Sequence, residues 1–196
     1  MANKNVEMLK CFWKIMQGQD FSLVIPKMYA KDIYSIDYDF LKKRKKTNLI
    51  FDIDNTILPV NDITVPEELK KFFKRLESHG FNICILSNNS KERVIPVARE
   101  LETGYLFKAD KPHKKAFTRA LVTLDAVKEN TAMIGDQMLT DVKGANEYGI
   151  YSILVEPVSD RYDIKTGTSR ILQNIMVKKL TKNKVFRRYD YYTRSD

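Results

Sequence analysis

The sequence predicts an α/β protein with a doubly wound parallel sheet of about five strands, and three observations lead to this prediction. Between residues 48 and 157, short apolar segments alternate with segments whose apolar residues recur at helical spacing. The short segments are apolar throughout, as in strands that are buried on both faces of a sheet. The segments between them are long enough for crossover helices, and right-handed crossovers give a doubly wound fold.

The predicted strands and helices follow each other in strict alternation. The strands are expected at 48–54, 81–87, 104–109, 131–135 and 150–155, and the helices at 66–79, 90–101, 113–124 and 138–148. In the first helix, one apolar face is formed at positions i, i+3, i+4 and i+7 by Leu69, Phe72, Phe73 and Leu76. In the second helix, Pro96 predicts a kink or a late start, because proline has no amide hydrogen to donate.

The two ends of the chain are basic, whereas the middle is mildly acidic. Residues 1–47 carry ten Lys or Arg against five Asp or Glu, residues 48–160 carry 14 against 17, and residues 161–196 carry ten against three. From this charge distribution and the alternation of strands and helices, we expect an N-terminal arm over 1–47, an α/β core over 48–157 and a basic C-terminal tail over 158–196. Within the tail, the apolar residues between 171 and 180 predict a short amphipathic helix.

The densest basic cluster occupies residues 42–46, which read Lys-Lys-Arg-Lys-Lys. Such a cluster can bind nucleic acid or an anionic membrane surface, and it can equally be a solvated connector before a buried strand. The apolar and aromatic residues of 21–25 and 29–40 precede it. This order suits either an interfacial membrane anchor or an arm that packs on the sheet, and both interpretations stay open.

Composition and sequence patterns also limit the protein class and compartment. The apolar runs are shorter than the roughly 18–20 residues that span a bilayer, and the N-terminus lacks the pattern of a signal peptide. The two cysteines, Cys11 and Cys84, are far apart in apolar surroundings and favour a reduced compartment. We expect a cytoplasmic protein, with peripheral contact at the inner face of the membrane as a further hypothesis.

Polar residues follow each of the first four predicted strands, and parallel strands bring their carboxyl ends to one edge of the sheet. Carboxylates such as Asp52 and Asp136 can hold Mg²⁺, while a lysine and a hydroxyl can hold phosphate oxygens. A carboxylate beside the metal can attack phosphorus, and Asp54 is placed to protonate the leaving oxygen and later to activate water. The residues expected at this edge are Asp52, Asp54, Ser87, Asn88, Lys111, Asp136 and Asp141.

Four ordered motifs carry a resemblance to a known family. They are FDIDNTIL at 51–58, ILSNNS at 85–90, ADKP at 109–112 and GDQMLTDVKGAN at 135–146. Together they resemble the haloacid-dehalogenase-like (HAD-like) phosphatase superfamily, and they are most similar to its subfamily IIIA branch of YqeG-type phosphatases. The lead-in at 21–37 is also similar to that branch, so the resemblance covers about residues 21–157.

The resemblance implies a Mg²⁺-dependent phosphatase that works through an aspartyl-phosphate. It implies that Asp52 is the nucleophile and a metal ligand, and that Asp54 is the general acid and base and lends its backbone carbonyl to the metal. Asp136 is then the second carboxylate on Mg²⁺, with Asp141 next to the metal ligands. The residues implied to bind or surround the substrate phosphate are Ser87, Asn88 and Lys111.

The spacing of the motifs leaves no room for a cap domain over the site. Residues 56–66 form a loop of about ten residues, and residues 90–110 hold one helix and one strand. An open site admits a bulky substrate, and the branch is similar to phosphatidylglycerophosphate phosphatases, which favours a phosphorylated lipid headgroup. Nucleotides, nucleic-acid ends and sugar phosphates remain alternatives, although no nucleic-acid-binding module is visible.

A phosphorylation switch or a scaffold that uses only the basic ends is the non-enzymatic alternative. The acid at Asp54, two residues after Asp52, favours turnover over storage of an aspartyl-phosphate, because it places a hydrolysis catalyst beside it.

Overall fold

The computed structural model describes residues 10, 12–14, 17, 22–159 and 164–182, and for 164–170 and 181 the backbone alone. A six-stranded parallel sheet runs through the described chain in the order β1-β6-β5-β2-β3-β4. This arrangement confirms the predicted parallel α/β fold. The strands are β1 (Met28–Ala30), β2 (Asn48–Phe51), β3 (Asn82–Leu86), β4 (Gly104–Leu106), β5 (Thr131–Gly135) and β6 (Tyr151–Val155).

The sixth strand is β1, which the sequence analysis did not predict. It lies at the edge of the sheet and pairs with β6, with Met28 opposite Ile153 and Ala30 opposite Val155. All three of its residues are buried. A segment of three residues is too short to show a strand period in the sequence, so the membrane-anchor and packed-arm interpretations could not be separated there. The structure shows that this part of residues 29–40 packs as part of the sheet.

Between residues 22 and 182, the α-helices around the sheet are α1 (Tyr38–Lys43), α2 (Glu67–Ser78), α3 (Lys91–Glu100), α4 (Lys114–Leu124), α5 (Lys143–Tyr148) and α6 (Ile164–Lys182). The apolar face predicted for the first helix is the buried face of α2. Of the two alternatives predicted at Pro96, a kink or a late start, the late start is wrong, because α3 begins at Lys91 and continues through Pro96. Pro96 removes the hydrogen bond to the carbonyl of Glu92, and this residue is exposed, so water can replace the missing donor.

A π-helical turn (Met138–Val142) precedes α5, where the sequence predicted one continuous helix over 138–148. All five residues of this turn are buried. The backbone N–H of Gln137 donates to Oδ2 of Asp141 at 3.1 Å, so the carboxylate folds back on the start of the turn. Turns of this kind recur at functional sites, because the wider backbone turns a side chain in a direction that an α-helix does not allow.

The helices cover the sheet with three apolar clusters. The first lies between the sheet and helices α1, α2 and α3, and the second between the sheet and helices α4 and α5. The third joins the π-helical turn to α6 and includes Met138, Leu139, Val142, Met176, Val177 and Leu180. Through this third cluster the amphipathic helix predicted in the tail packs against the core. None of the helices in the described part of the chain has both the length and the apolar character needed to cross a bilayer.

Basic residues 42–46 lie at the amino ends of the strands. The N–H of Thr47 donates to the carbonyl of Asn130, directly before β5, and the N–H of Asn82 donates to the carbonyl of Thr47, both at 3.0 Å. In the sheet register, Asn48 is opposite both Asn82 and Thr131. The basic cluster and the residues that follow the strands are therefore on opposite edges of the sheet.

Candidate active site

The residues expected to meet at the carboxyl edge of the sheet do lie there. Asp52 follows β2, and its N–H donates to the carbonyl of Ile134 in β5 at 3.0 Å. Ser87 follows β3, and Asp136 follows β5. The exposed fraction of Asp52 is 5%, and that of Ser87 and of Asp136 is 1%. Polar groups buried to this extent need partners, and the partners define the site.

Lys111 is the buried cation of this site. Its Nζ lies 2.7 Å from Oδ1 of Asp52 and 2.8 Å from Oδ1 of Asp141, and only 2% of its side chain is exposed. The Asn88 side chain fixes the backbone of Lys111 from both sides, since its Nδ2 donates to the carbonyl at 3.1 Å and its Oδ1 accepts from the N–H at 2.6 Å. Asp52, 59 positions before Lys111 in the chain, and Asp141, 30 positions after it, thus contact one ammonium group.

Burial and neighbouring charge shift the pKa values of this group. Burial raises the pKa of the Asp52 carboxyl well above its usual value; Lys111 lowers it, and the carboxylate of Asp141 raises it further. Burial lowers the pKa of the Lys111 ammonium, but the carboxylates of Asp141 and Asp52 outweigh burial and raise it. Lys111 therefore stays charged at neutral pH, while an additional cation near Asp52 would favour its ionised form.

Three buried carboxylates form a group that can hold a metal ion. One oxygen from each of Asp52, Asp136 and Asp141 lies within 4.8 Å of the others. Thr56 orients Asp136, because its hydroxyl accepts from the backbone N–H of Asp136 at 3.1 Å and donates to Oδ1 at 3.4 Å. Hard divalent cations prefer carboxylate oxygens, and a cation here would oppose both the burial and the neighbouring carboxylates that raise the pKa of Asp52. The residues therefore fit a divalent metal, and Asp141 lies as close to the group as the two expected carboxylate ligands.

The carboxylate of Asp54 makes different contacts. Its Oδ2 accepts from Nδ2 of Asn89 at 3.1 Å, and its Oδ1 accepts from Nε of Arg93 at 3.0 Å. Neither partner was singled out from the sequence. Asn89 belongs to the ILSNNS motif, and Arg93 lies on the buried face of α3, next to Val94. A buried arginine is nearly always paired, so its position on an apolar helix face was the available signal.

Gln173 in α6 is a further contact of the site that the sequence did not suggest. Its Nε2 donates to the backbone carbonyl of Asp136 at 3.0 Å, and its Oε1 accepts from the N–H of Met138 at 2.9 Å. The side chain is buried. The helix of the basic tail thus supports the loop that carries Asp136. The sequence signal for this contact was a polar residue among the apolar positions of 171–180.

Gly135 allows the Asp141 carboxylate to reach this position. A Cβ atom on residue 135 would lie 2.3 Å from Oδ2 of Asp141, which is much closer than any real contact of a Cβ atom. The backbone conformation of residue 135 does not require a glycine, since the glycines with positive φ in the described part of the chain are Gly80 and Gly149. Close approach of a side chain is therefore what the glycine permits here.

No inserted cap covers the site in the part of the chain between β2 and Lys111, and a cavity lies at the loop that follows Asp54. In the continuously described stretch between β2 and Lys111, the chain forms this loop, α2, β3, α3 and β4, and no inserted cap. Residues 59–62 of the loop and Ser159 line a cavity of about 610 Å³. Ser159 Oγ donates to Oδ1 of Asn55, the neighbour of Asp54, at 2.9 Å, so this cavity adjoins the site.

Comparisons with known proteins agree with this arrangement. The family model "Mitochondrial PGP phosphatase" matches residues 6–103, and a HAD-hydrolase-like model matches residues 109–176. The chain is 37% identical over 135 residues to "Probable phosphatase YqeG" of Bacillus subtilis, which covers 69% of this chain and 78% of that protein.

Two more distant similarities accompany these. The chain is 26% identical over 150 residues to "Phosphatidylglycerophosphate phosphatase 1, chloroplastic/mitochondrial" of Arabidopsis thaliana, over 72% of this chain and 43% of that protein. Among solved structures, the cobalt-bound deoxy-D-mannose-octulosonate 8-phosphate phosphatase of Haemophilus influenzae is 14% identical, with a TM-score of 0.44, over 75% of this chain and 96% of that one.

Proposed function

The chain belongs to the YqeG-type phosphatases of the HAD-like superfamily, and from this premise we propose that it hydrolyses phosphomonoesters with Mg²⁺ through an aspartyl-phosphate on Asp52. The observation that carries this proposal is the buried group at the carboxyl edge. There Asp52 contacts Lys111 and shares a group with the carboxylates of Asp136 and Asp141. Phosphoryl transfer depends mainly on positioning and on neutralising charge, and this group supports both.

In this proposal the metal is held by the carboxylates of Asp52 and Asp136 and by the backbone carbonyl of Asp54. Asp141 stands beside them and shares Lys111 with Asp52. When bound, Mg²⁺ neutralises negative charge on the phosphate and on the nucleophile. The chain itself orients the carboxylates that would hold the metal. The hydrogen bonds from Thr56 to Asp136 and from Gln137 to Asp141 keep these carboxylates in place.

The first step transfers the phosphoryl group to the protein. A carboxylate oxygen of Asp52 attacks phosphorus, the bond from phosphorus to the ester oxygen breaks, and Asp54 gives that oxygen a proton. Lys111 and the hydroxyl of Ser87 hold the phosphoryl oxygens. The contacts of Asn88 favour an indirect role, because its amide is engaged with the backbone of Lys111.

The second step releases phosphate. Asp54, now ionised, takes a proton from water, and the water oxygen attacks the phosphorus of the aspartyl-phosphate. The bond between phosphorus and the Asp52 oxygen breaks, which restores the carboxylate and releases inorganic phosphate. A carboxyl group that acts as acid and then as base must keep one orientation through both steps, and the donors on Asp54 support that requirement.

We propose a phosphorylated lipid headgroup, such as that of phosphatidylglycerophosphate, as the substrate. The relatives whose names include that lipid support this proposal, and so does the uncapped site, which can receive a bulky ester. A lipid substrate would require peripheral contact between an anionic membrane and the carboxyl edge of the sheet. Basic residues 42–46 are on the opposite edge and would face away from that membrane.

The test is phosphate release with Mg²⁺ from phosphatidylglycerophosphate in mixed micelles and from 4-nitrophenyl phosphate. Asp52→Asn is compared with wild type, and Asp125→Asn serves as the control, since Asp125 is exposed beyond α4. We expect turnover of the lipid to exceed that of the aryl ester and to be lost in Asp52→Asn alone. Turnover of the aryl ester alone would contradict the lipid substrate and redirect the search to nucleotides and sugar phosphates. Release that does not require Mg²⁺ or Asp52 would contradict the proposed chemistry.

A further inference from the structure

Arg93 joins two parts of the molecule that the proposed mechanism treats separately. Its Nε donates to Oδ1 of Asp54 at 3.0 Å. On the other side of the guanidinium, Nη2 donates to the carbonyl of Pro59 at 3.1 Å and Nη1 donates to the carbonyl of Asp62. Residues 59–62 line the cavity beside the site. One planar group therefore contacts both the acid of the proposed reaction and the loop that borders the cavity.

The burial of this contact indicates that it is specific. Only 6% of the Arg93 side chain and 13% of the Asp54 side chain are exposed. A guanidinium removed from water is stable only when its donors are satisfied, and the Asp54 carboxyl and the two loop carbonyls satisfy donors of Arg93. Lysine could not replace it, because a single ammonium lacks the fixed fork that reaches three acceptors in one plane.

The same contact fixes the plane of the Asp54 carboxylate. Asn89 donates to Oδ2 while Arg93 donates to Oδ1, so rotation about the last side-chain bond of Asp54 would break both hydrogen bonds. Proton transfer requires the donor to lie within hydrogen-bond reach of the reacting oxygen. A misplacement of about 1 Å can cost roughly 100-fold in rate, so the orientation of Asp54 matters to the reaction.

We propose that Arg93 is a positioning residue that holds the Asp54 carboxylate and residues 59–62 as one unit. Its role rests on the proposed function, in which Asp54 protonates the leaving oxygen. Arg93 does not touch the substrate in this proposal; it acts by keeping the proton donor aligned with the ester oxygen on the cavity side of the site.

The leaving group distinguishes this role from general support of the fold. A nitrophenolate leaves at neutral pH without taking a proton, whereas an alkoxide has to be protonated as its bond to phosphorus breaks. The measurement is kcat/KM for 4-nitrophenyl phosphate and 2-phenylethyl phosphate in wild type, Arg93→Gln and Arg99→Gln. Arg99 is the matched control, because it is an exposed arginine in the same helix.

We expect Arg93→Gln to lose at least about tenfold more activity on the alkyl ester than on the aryl ester, as misalignment of a proton donor predicts. Arg99→Gln should leave both values unchanged. In an Asp54→Asn background, Arg93→Gln should add no further preference for the aryl ester, because the two residues act through one group. Equal losses on the two esters, or a further preference in the Asp54→Asn background, would overturn the proposal.

Amide hydrogen exchange tests the same contact without any substrate. The N–H of Asp62 donates to the carbonyl of Pro59 at 3.2 Å, and the N–H of Thr64 donates to Oδ1 of Asp62 at 3.0 Å. In Arg93→Gln we expect both amides to exchange faster, with no change in the core of α2 and with Arg99→Gln like wild type. Unchanged exchange would overturn the proposal. If wild type hydrolysed neither ester, the proposed function would fail, and exchange at these two amides would still decide whether Arg93 holds the loop.

Discussion

Charged side chains lie at both the carboxyl and the amino edge of the central sheet, but their burial and their partners differ between the two edges. At the carboxyl edge, Lys111 is buried and makes ion pairs with Asp52 and Asp141. At the amino edge, Lys42 and Lys46 donate to the backbone carbonyls of His79 and Glu129 and remain at the surface. Charges from distant parts of the chain converge on the first edge, whereas the second carries a run of neighbours in sequence. The comparison shows that convergence, and not charge density along the chain, marks the candidate site.

The largest loss of activity is expected at the carboxyl edge, from substitution of the proposed nucleophile. Asp52→Asn removes the oxygen that attacks phosphorus, so phosphate release should fall by at least about three orders of magnitude. Asn has nearly the same shape, and Lys111 keeps its ion pair with Asp141, so the fold should persist. Phosphate release and the thermal unfolding curve measure the two effects. An Asp52→Asn enzyme that keeps a tenth of the activity would contradict the aspartyl-phosphate.

The same variant has a pH-dependent effect on stability. Because burial raises the pKa of Asp52 in the folded state, the folded protein binds a proton that the unfolded chain has released above pH about 4. The contribution of this carboxyl to the free energy of unfolding therefore falls as pH rises, until pH exceeds the folded pKa. In EDTA, the stability gained by Asp52→Asn over wild type should grow with pH from about 4 and then level off. Urea unfolding at a series of pH values measures this, and a gain that shrinks with rising pH would contradict it.

The next largest effect is expected for the buried cation. Lys111→Gln removes the group proposed to hold phosphoryl oxygens, and the loss of one such donor in a buried site costs about 100- to 1,000-fold in kcat. Lys46→Gln is the matched change at the amino edge, where a half-buried lysine donates to a backbone carbonyl. We expect Lys46→Gln to keep activity within about twofold, as is usual for substitutions away from a site. Similar losses in both variants would remove the distinction between the edges.

The sequence was sufficient to predict those parts of the fold that follow a local pattern of apolar residues. Strands β2, β3, β5 and β6 follow apolar runs, and the residues after three of them form the candidate site, because strand ends fix their position. The edge strand β1 is three residues long and has no readable period. The π-helical turn replaced a predicted α-helix because burial of Asp141 near Lys111 depends on tertiary contacts.

The supporting residues of the site were harder to predict for a related reason. Asn89, Arg93 and Gln173 act on Asp54 and on the backbone of Asp136 across 35, 39 and 37 positions in the chain. Nothing in their own neighbourhoods specifies those partners. Each is a polar residue whose partner is defined only when another element of the fold packs against it.

A smaller effect is expected from the support that the tail gives to the carboxyl edge. Gln173→Leu removes both hydrogen bonds to the loop that carries Asp136, and loss of such an outer partner typically weakens metal binding by about 10- to 100-fold. Asn174→Leu is the control, because its neighbouring position in α6 is exposed. The dependence of phosphate release on Mg²⁺ concentration measures the effect. An unchanged Mg²⁺ requirement would show that α6 is not needed to orient Asp136.

The smallest effect is expected at the amino edge itself. Lys43 and Lys45 are exposed members of the basic cluster, and changing both to Gln should alter the free energy of unfolding by less than about 0.5 kcal/mol and leave aryl phosphatase activity unchanged. Binding to phosphatidylglycerol vesicles makes the comparison sharper, because each base at an anionic surface contributes about 1 kcal/mol. Lys178→Gln with Lys182→Gln is the matched pair, in the helix that supports the carboxyl edge. If the membrane meets the carboxyl edge, the two substitutions in α6 should weaken vesicle binding more than the two substitutions at 43 and 45. The reverse order would place the membrane at the amino edge, away from the candidate site.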